Sequence, residues 1–177
     1  LVLLNGTYSV AAGTGYISYL GAGSGQPPSG LSLSNPTYVH AQNPGMVTVD
    51  GGTGTALFIG RSARKDSYIT IEGIVFDGGG SLYNTSYVTV KKSGFHTIKN
   101  NGGTNIFAVG TNDHNQGNTN NLIEDVFLWG EAQKAALNYR ASNNVWRRIF
   151  IRHDGCDPLQ GTSPCNSGQW PASGISL

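Results

Sequence analysis

Apolar residues fall along this chain in short bursts rich in β-branched and aromatic types, each closed by Gly, Asn or Ser. One burst is spelled twice. Asn120 to Leu128 (Asn-Asn-Leu-Ile-Glu-Asp-Val-Phe-Leu) returns at Asn143 to Ile151 as Asn-Asn-Val-Trp-Arg-Arg-Ile-Phe-Ile. Leu122 then corresponds to Val145, Val126 to Ile149, Phe127 to Phe150 and Leu128 to Ile151. A more divergent copy lies at Ser67 to Phe76, where Ile74-Val75-Phe76 takes the place of Val126-Phe127-Leu128, and a degenerate one starts at Ser86. Alternation of this kind predicts strands, and repetition with a period in the twenties predicts stacked coils of a solenoid.

A second kind of strand follows glycine or a small residue: Ala56–Ile59, Asn105–Val109, Ala136–Tyr139 and Gly174–Leu177. Taking Leu57, Leu82, Ile106, Leu137 and Ile175 as equivalent inward positions gives spacings of 25, 24, 31 and 38 residues. The excess falls in the loops 111–119 and 154–172, as stacked coils with insertions at one corner require. One coil cannot bury its apolar side alone. Stacked at ~4.8 Å, each strand pairs in parallel with its counterparts above and below. Asn120 over Asn143 and Asn121 over Asn144 then form an amide ladder at a corner. The competing reading makes them turn residues chosen for their tolerance of left-handed dihedrals.

The expected fold is therefore all-β, a right-handed parallel β-helix of about 6–7 coils in a single domain spanning residues 1–177. Residues 11–45, rich in Gly, Ser and Pro, read as an irregular excursion, and 153–172 as a long loop. Twenty-six glycines and 12% charged residues suit many tight turns. A net charge of +1 gives no argument for nucleic acid. No apolar run approaches the ~18 residues of a membrane span. Leu1–Leu4 and Gly174–Leu177 are already strand-like, so both ends read as cut from a longer precursor or solenoid. Cys156 and Cys165 sit in one loop with two prolines, and a local disulfide between them implies a secreted or cell-surface setting.

Leu1–Ser9, Val47–Gly52 with Thr55–Ile59, and Ser67–Phe76 resemble the opening coils of parallel β-helix proteins of the pectate-lyase-like superfamily. Asn121–Gly130 and Asn144–Arg148 resemble later coils of secreted bacterial members. The resemblance implies the fold and a tie to polysaccharide, commonly acidic, but not an activity. Lyases of this group use carboxylate-held calcium and a Lys or Arg base: calcium neutralises the uronate carboxylate, and the base removes the acidified proton. Their Arg-x-Pro-x-x-Arg motif is absent here, as are the Asn-Thr-Asp, Asp-Asp and Gly-His-Gly motifs of the polygalacturonases.

The remaining candidate chemistry is sparse. Asp154 and Asp157 are candidate calcium ligands with His153 or a neighbouring Arg as base; the favoured reading is a polar loop whose Asp and Gly residues make turns. Lys134, Asn138 and Arg140 are placed on the outward side of a short strand, able to meet an acidic sugar or simply solvated. Asp113 and His114 form a second polar loop. Arg147-Arg148 over Glu124-Asp125 pairs opposite charges between coils, a structural role. Trp129, Trp146 and Tyr38 read as packing, whereas Trp170, within Gln-Trp-Pro, reads as a platform for carbohydrate. Two functions follow as expectations. One is binding or processing of polysaccharide; the other is a structural role in which coils of separate copies stack end to end into a filament.

Overall fold

The structure, a computed structural model, describes residues 1–9, 28–52, 55–60, 65–97, 105–110, 117–132, 134–155 and 173–176. Among them there is no helix, and the strands follow one another in a recurring cycle. The cycle opens with β1 (Val2–Leu3) and β2 (Gly6–Ser9), then β3 (Thr37–Ala41), β4 (Val47–Asp50) and β5 (Leu57–Ile59). It continues through β6 (Asp66–Ser67), β7 (Ile69–Glu72), β8 (Ile74–Asp77) and β9 (Gly80–Leu82). Next come β10 (Thr85–Ser86), β11 (Thr89–Lys91), β12 (Gly94–Thr97) and β13 (Asn105–Gly110). The last strands are β14 (Asn118–Thr119), β15 (Leu122–Glu131), β16 (Lys134–Tyr139), β17 (Ala141–Ser142), β18 (Val145–Gly155) and β19 (Ser173–Ser176).

Strands at the same stage of the cycle pair in parallel. One strip runs β1-β3-β7-β11-β15 and a second β2-β4-β8-β12-β15. The ten-residue β15 passes through both, and β18 stacks on it, so the two strips are one sheet folded along a corner. A narrow sheet holds β6-β10-β14-β17 and a third side holds β5-β9-β13-β16-β19. The arrangement is parallel and β-solenoid-like. Register bears out the doubled block residue by residue: Leu122 faces Val145, Val126 faces Ile149, Phe127 faces Phe150 and Leu128 faces Ile151.

Side chains alternate in and out, so like residues stack inside. Val39, Ile71, Val90 and Ile123 form one buried column, and Val49, Phe76, Phe95 and Leu128 another. The Phe76 and Phe95 rings stack at 4.9 Å, and Trp146 closes the row edge-on to Phe107. Each fully buried side chain of this size contributes roughly 1.5–3 kcal/mol. Single left-handed residues turn two of the corners: Tyr68, Tyr87, Asn120 and Asn143 before the first strip, and Lys92, Asp125 and Arg148 between the strips.

Both readings of the paired asparagines hold, at adjacent positions. Asn120 and Asn143 are the left-handed corner residues, with φ of 58° and 55°. Asn121 and Asn144 are the ladder: Asn121 Nδ2 donates to Asn144 Oδ1 at 3.0 Å, and the Val88 N–H donates to Asn121 Oδ1 at 3.0 Å.

Two expectations need correction. Within residues 11–45, Thr37–Ala41 is not irregular but a strand, because its alternation buries Val39 and Ala41 and turns Tyr38 and His40 outward. On the third side, the inward row is Leu57, Gly80, Phe107, Ala136 and Ile175. Leu82 lies two residues beyond this row, Ile106 one before and Leu137 one after. Gly80 breaks the apolar pattern because a Cβ there would lie 2.5 Å from Phe95 Cε1 and 2.6 Å from Phe107 Cδ2. The rings of neighbouring coils fill its place. Cys156, Asp157, Cys165, Trp170, Asp113 and His114 lie outside the described residues, and the expected disulfide with them.

Candidate functional site

The outward side of the first strip is a ladder of alternating charge: Glu72, Lys91, Glu124 and Arg147 follow one another in register, with His40 next to Glu72. Glu72 receives Lys91 Nζ at 3.1 Å, Lys92 Nζ at 2.9 Å and the Tyr38 hydroxyl. Burial opposes its ionisation, but the hydrogen bonds from Tyr38, Lys92 and Lys91 outweigh that and hold the carboxyl at about 2. The same bond to Glu72, with burial, pushes the Tyr38 hydroxyl up to about 12. Arg147 Nε lies 2.5 Å from Glu124, and Arg148 grips Asp125 with two nitrogens. Hydrogen bonds from these arginines lower both carboxyls. The expected pairing of Arg147-Arg148 with Glu124-Asp125 is thus present. Among the described residues, the carboxylates of Glu72, Glu124 and Asp125 are each matched by a lysine or arginine, as a stabilising surface requires.

The second strip differs. Its outward side carries two columns, Thr48–Val75–Gly94–Phe127–Phe150 and Asp50–Asp77–His96–Trp129–Arg152. Trp129 extends over Gly94, where a Cβ would come within 2.7 Å of Trp129 Cζ3. The indole stacks on Phe127 at 4.8 Å and 19°, and on His96 at 5.2 Å and 20°. Phe127 meets Phe150 at 4.9 Å, and the Phe150 side is 64% exposed. Four rings from three strands therefore form a continuous aromatic strip on the outside of the molecule. Such a surface is normally buried in a core or used to bind.

Polar groups border the strip at both ends. His96 Nδ1 donates to Asp77 Oδ1 at 2.9 Å; an ionised carboxylate only accepts, so this nitrogen carries the proton. Asp50 stands beside Asp77 on the next strand, one oxygen accepting the Gly52 N–H at 2.7 Å. At the far end Arg152 donates to both oxygens of Asp154, at 2.9 and 3.0 Å. Rings flanked by hydrogen-bonding groups can hold the apolar face of a sugar while fixing its hydroxyls.

The candidates from sequence fall mostly elsewhere. Asp154 borders the strip, but its bidentate partner is a guanidinium, whose charge opposes a divalent cation. Among the described residues no group of three or more His, Cys, Asp or Glu is placed to hold a metal. His153 faces Gly130 on β15. Lys134, Asn138 and Arg140 belong to the third side and its corner. Asn138 falls in register with the inward Val109; it accepts from Asn144 Nδ2 at 3.1 Å and donates to the Ala141 carbonyl, so it extends the asparagine ladder and does not face outward. Arg140 is a left-handed corner residue whose guanidinium lies 5.0 Å from the Tyr139 ring.

Trp129, read from sequence as packing, is the centre of the aromatic strip. The available signal was that Phe127 and Trp129 share one parity beyond Val126 and Leu128, which are buried. No helix among the described residues is long and apolar enough to cross a membrane. No family model matches the chain, and neither a curated protein nor a solved structure matches it.

Proposed function

We propose that the chain is a right-handed parallel β-helix of six to seven coils, of the pectate-lyase-like kind, that binds polysaccharide on the outside of its second strip. The observation that carries this reading is the stacked row of Phe127, Trp129 and His96, continued by Phe150 and bordered by Asp77. A linear glycan presents repeated apolar faces and hydroxyls, the complement of a linear aromatic row on a rigid sheet. A secreted or cell-surface setting accords with such a ligand. Binding of oligosaccharides, followed through tryptophan fluorescence, is expected to weaken about tenfold in Trp129→Ala, equivalent to ~1.4 kcal/mol of lost stacking. Unchanged affinity in that variant would sink the reading.

A second reading rests on the edge formed by β18 and β19. Val145 and Ile175 are half-exposed there, beside a cleft of about 180 Å³ lined by Ala136, Trp146, Arg147, Arg148, Ile149 and Ile175. Leu1, Val2 and Leu4 are exposed at the opposite edge. End-to-end stacking of copies would cover both. Light scattering that grows with protein concentration, and falls in a Val145→Lys/Ile175→Lys variant, is the expected result; a concentration-independent monomer excludes it.

A further inference from the structure

We infer that the aromatic strip takes a glycan bearing protonated amines, a glucosamine-type polymer, in preference to a uronate polymer. The inference rests on the polysaccharide reading and concerns which charge that polysaccharide carries. The two outward strips obey different electrostatic rules. On the first, sign alternates strand by strand from Glu72 to Arg147. On the second, Asp50 sits directly against Asp77, the one like-charged register pair among the described residues. Like charges so placed destabilise a sheet, and a locally unfavourable pairing marks a surface held for something other than stability.

The pair is not neutralised from within. Asp50 uses one oxygen for the Gly52 N–H, and Asp77 uses one for His96 Nδ1. Among the described residues neither is paired with lysine or arginine, and Asp77 is 39% exposed. The only guanidinium in the same column, Arg152, is held by both oxygens of Asp154. Strands ~4.8 Å apart let two carboxylates converge on one ammonium group. A divalent ion would need more oxygen ligands than the site supplies. Next to the pair, the rings of His96 and Trp129 continue the row that would carry the sugar faces. A uronate bound on that row would bring its carboxylate toward Asp50 and Asp77 and, among the described residues of the same column, find no uncommitted cation.

The test compares three hexamers of similar length on the whole chain: fully deacetylated glucosamine, N-acetylglucosamine and galacturonate, by calorimetry at low and at 0.15 M salt. The expected order is amine tightest and galacturonate weakest. The margin of amine over acetylated sugar is expected to be about tenfold and to narrow with salt. In Asp50→Asn/Asp77→Asn that ratio falls toward one, with an unchanged circular dichroism spectrum showing that the fold is kept. Equal affinity for the amine and acetylated hexamers, or an unchanged ratio in the double variant, overturns the inference and leaves the polysaccharide reading standing. Tightest binding of galacturonate also overturns it. If none of the three binds, the polysaccharide reading itself falls and takes the inference with it.

Discussion

Neighbouring asparagines do unlike work. Asn120 turns the chain with a left-handed dihedral, where glycine is equally comfortable. Asn121 points inward, its Oδ1 accepting from the Val88 N–H and the Thr85 hydroxyl and its Nδ2 donating to Asn144. Asn120→Gly is therefore expected to leave stability nearly unchanged. Asn121→Ala, which strands a buried backbone donor, is expected to cost about 1–3 kcal/mol in urea unfolding. This corner is legible in sequence because the Asn-Asn pair recurs unchanged and the same pattern of apolar positions follows it in both copies. Gly80 and Gly94 were illegible for the opposite reason. Each is defined by rings arriving from another coil, Phe107 over one and Trp129 over the other, and no local pattern announces an absent side chain. A buried NxS acceptor sequence at Asn84 illustrates the same limit: it fits the glycosylation pattern, yet the side chain is only 7% exposed.

Among elements, the first strip binds its strands through charge as well as backbone. Glu72 ionises at about 2 in the fold against an ordinary 4.5, so its contribution is fully present above 4.5 and is lost as pH falls toward 2. Tyr38 runs the other way. Raised from 10.0 to about 12, it contributes below pH 10 and ceases to as pH climbs to 12. The urea midpoint is expected to drop across both windows. In Glu72→Gln the acid-side drop should shrink; an identical acid limb in that variant would show that other carboxylates govern it. At this scale the sequence was legible wherever charges were doubled, as in Glu124-Asp125 and Arg147-Arg148. The third side is less legible because its loops differ in length, so that Leu82, Ile106 and Leu137 lie off the row set by Leu57, Gly80, Phe107 and Ala136.

For the molecule as a whole, stacking of parallel strands was legible and the placement of the candidate site was not. Trp129, His96 and Asp77 come from three coils, and only the register brings them to one surface. A site assembled across coils leaves no contiguous motif. The candidates offered by contiguous motifs were instead a corner residue, Arg140, a ladder residue, Asn138, and a paired carboxylate, Asp154.

The sign alternation from Glu72 to Arg147 also gives the molecule a parity. Excising residues 85–117 would join equivalent points of successive windings and drop Glu124 onto Glu72, acid upon acid. Excising residues 85–140 would instead seat Arg147 on Glu72 and keep the order of signs. The larger deletion is accordingly expected to disturb this face less than the smaller one, visible as a shallower salt dependence of the thermal midpoint. A chain built this way gains or sheds windings most easily two at a time, like a zip whose teeth come in matched left and right.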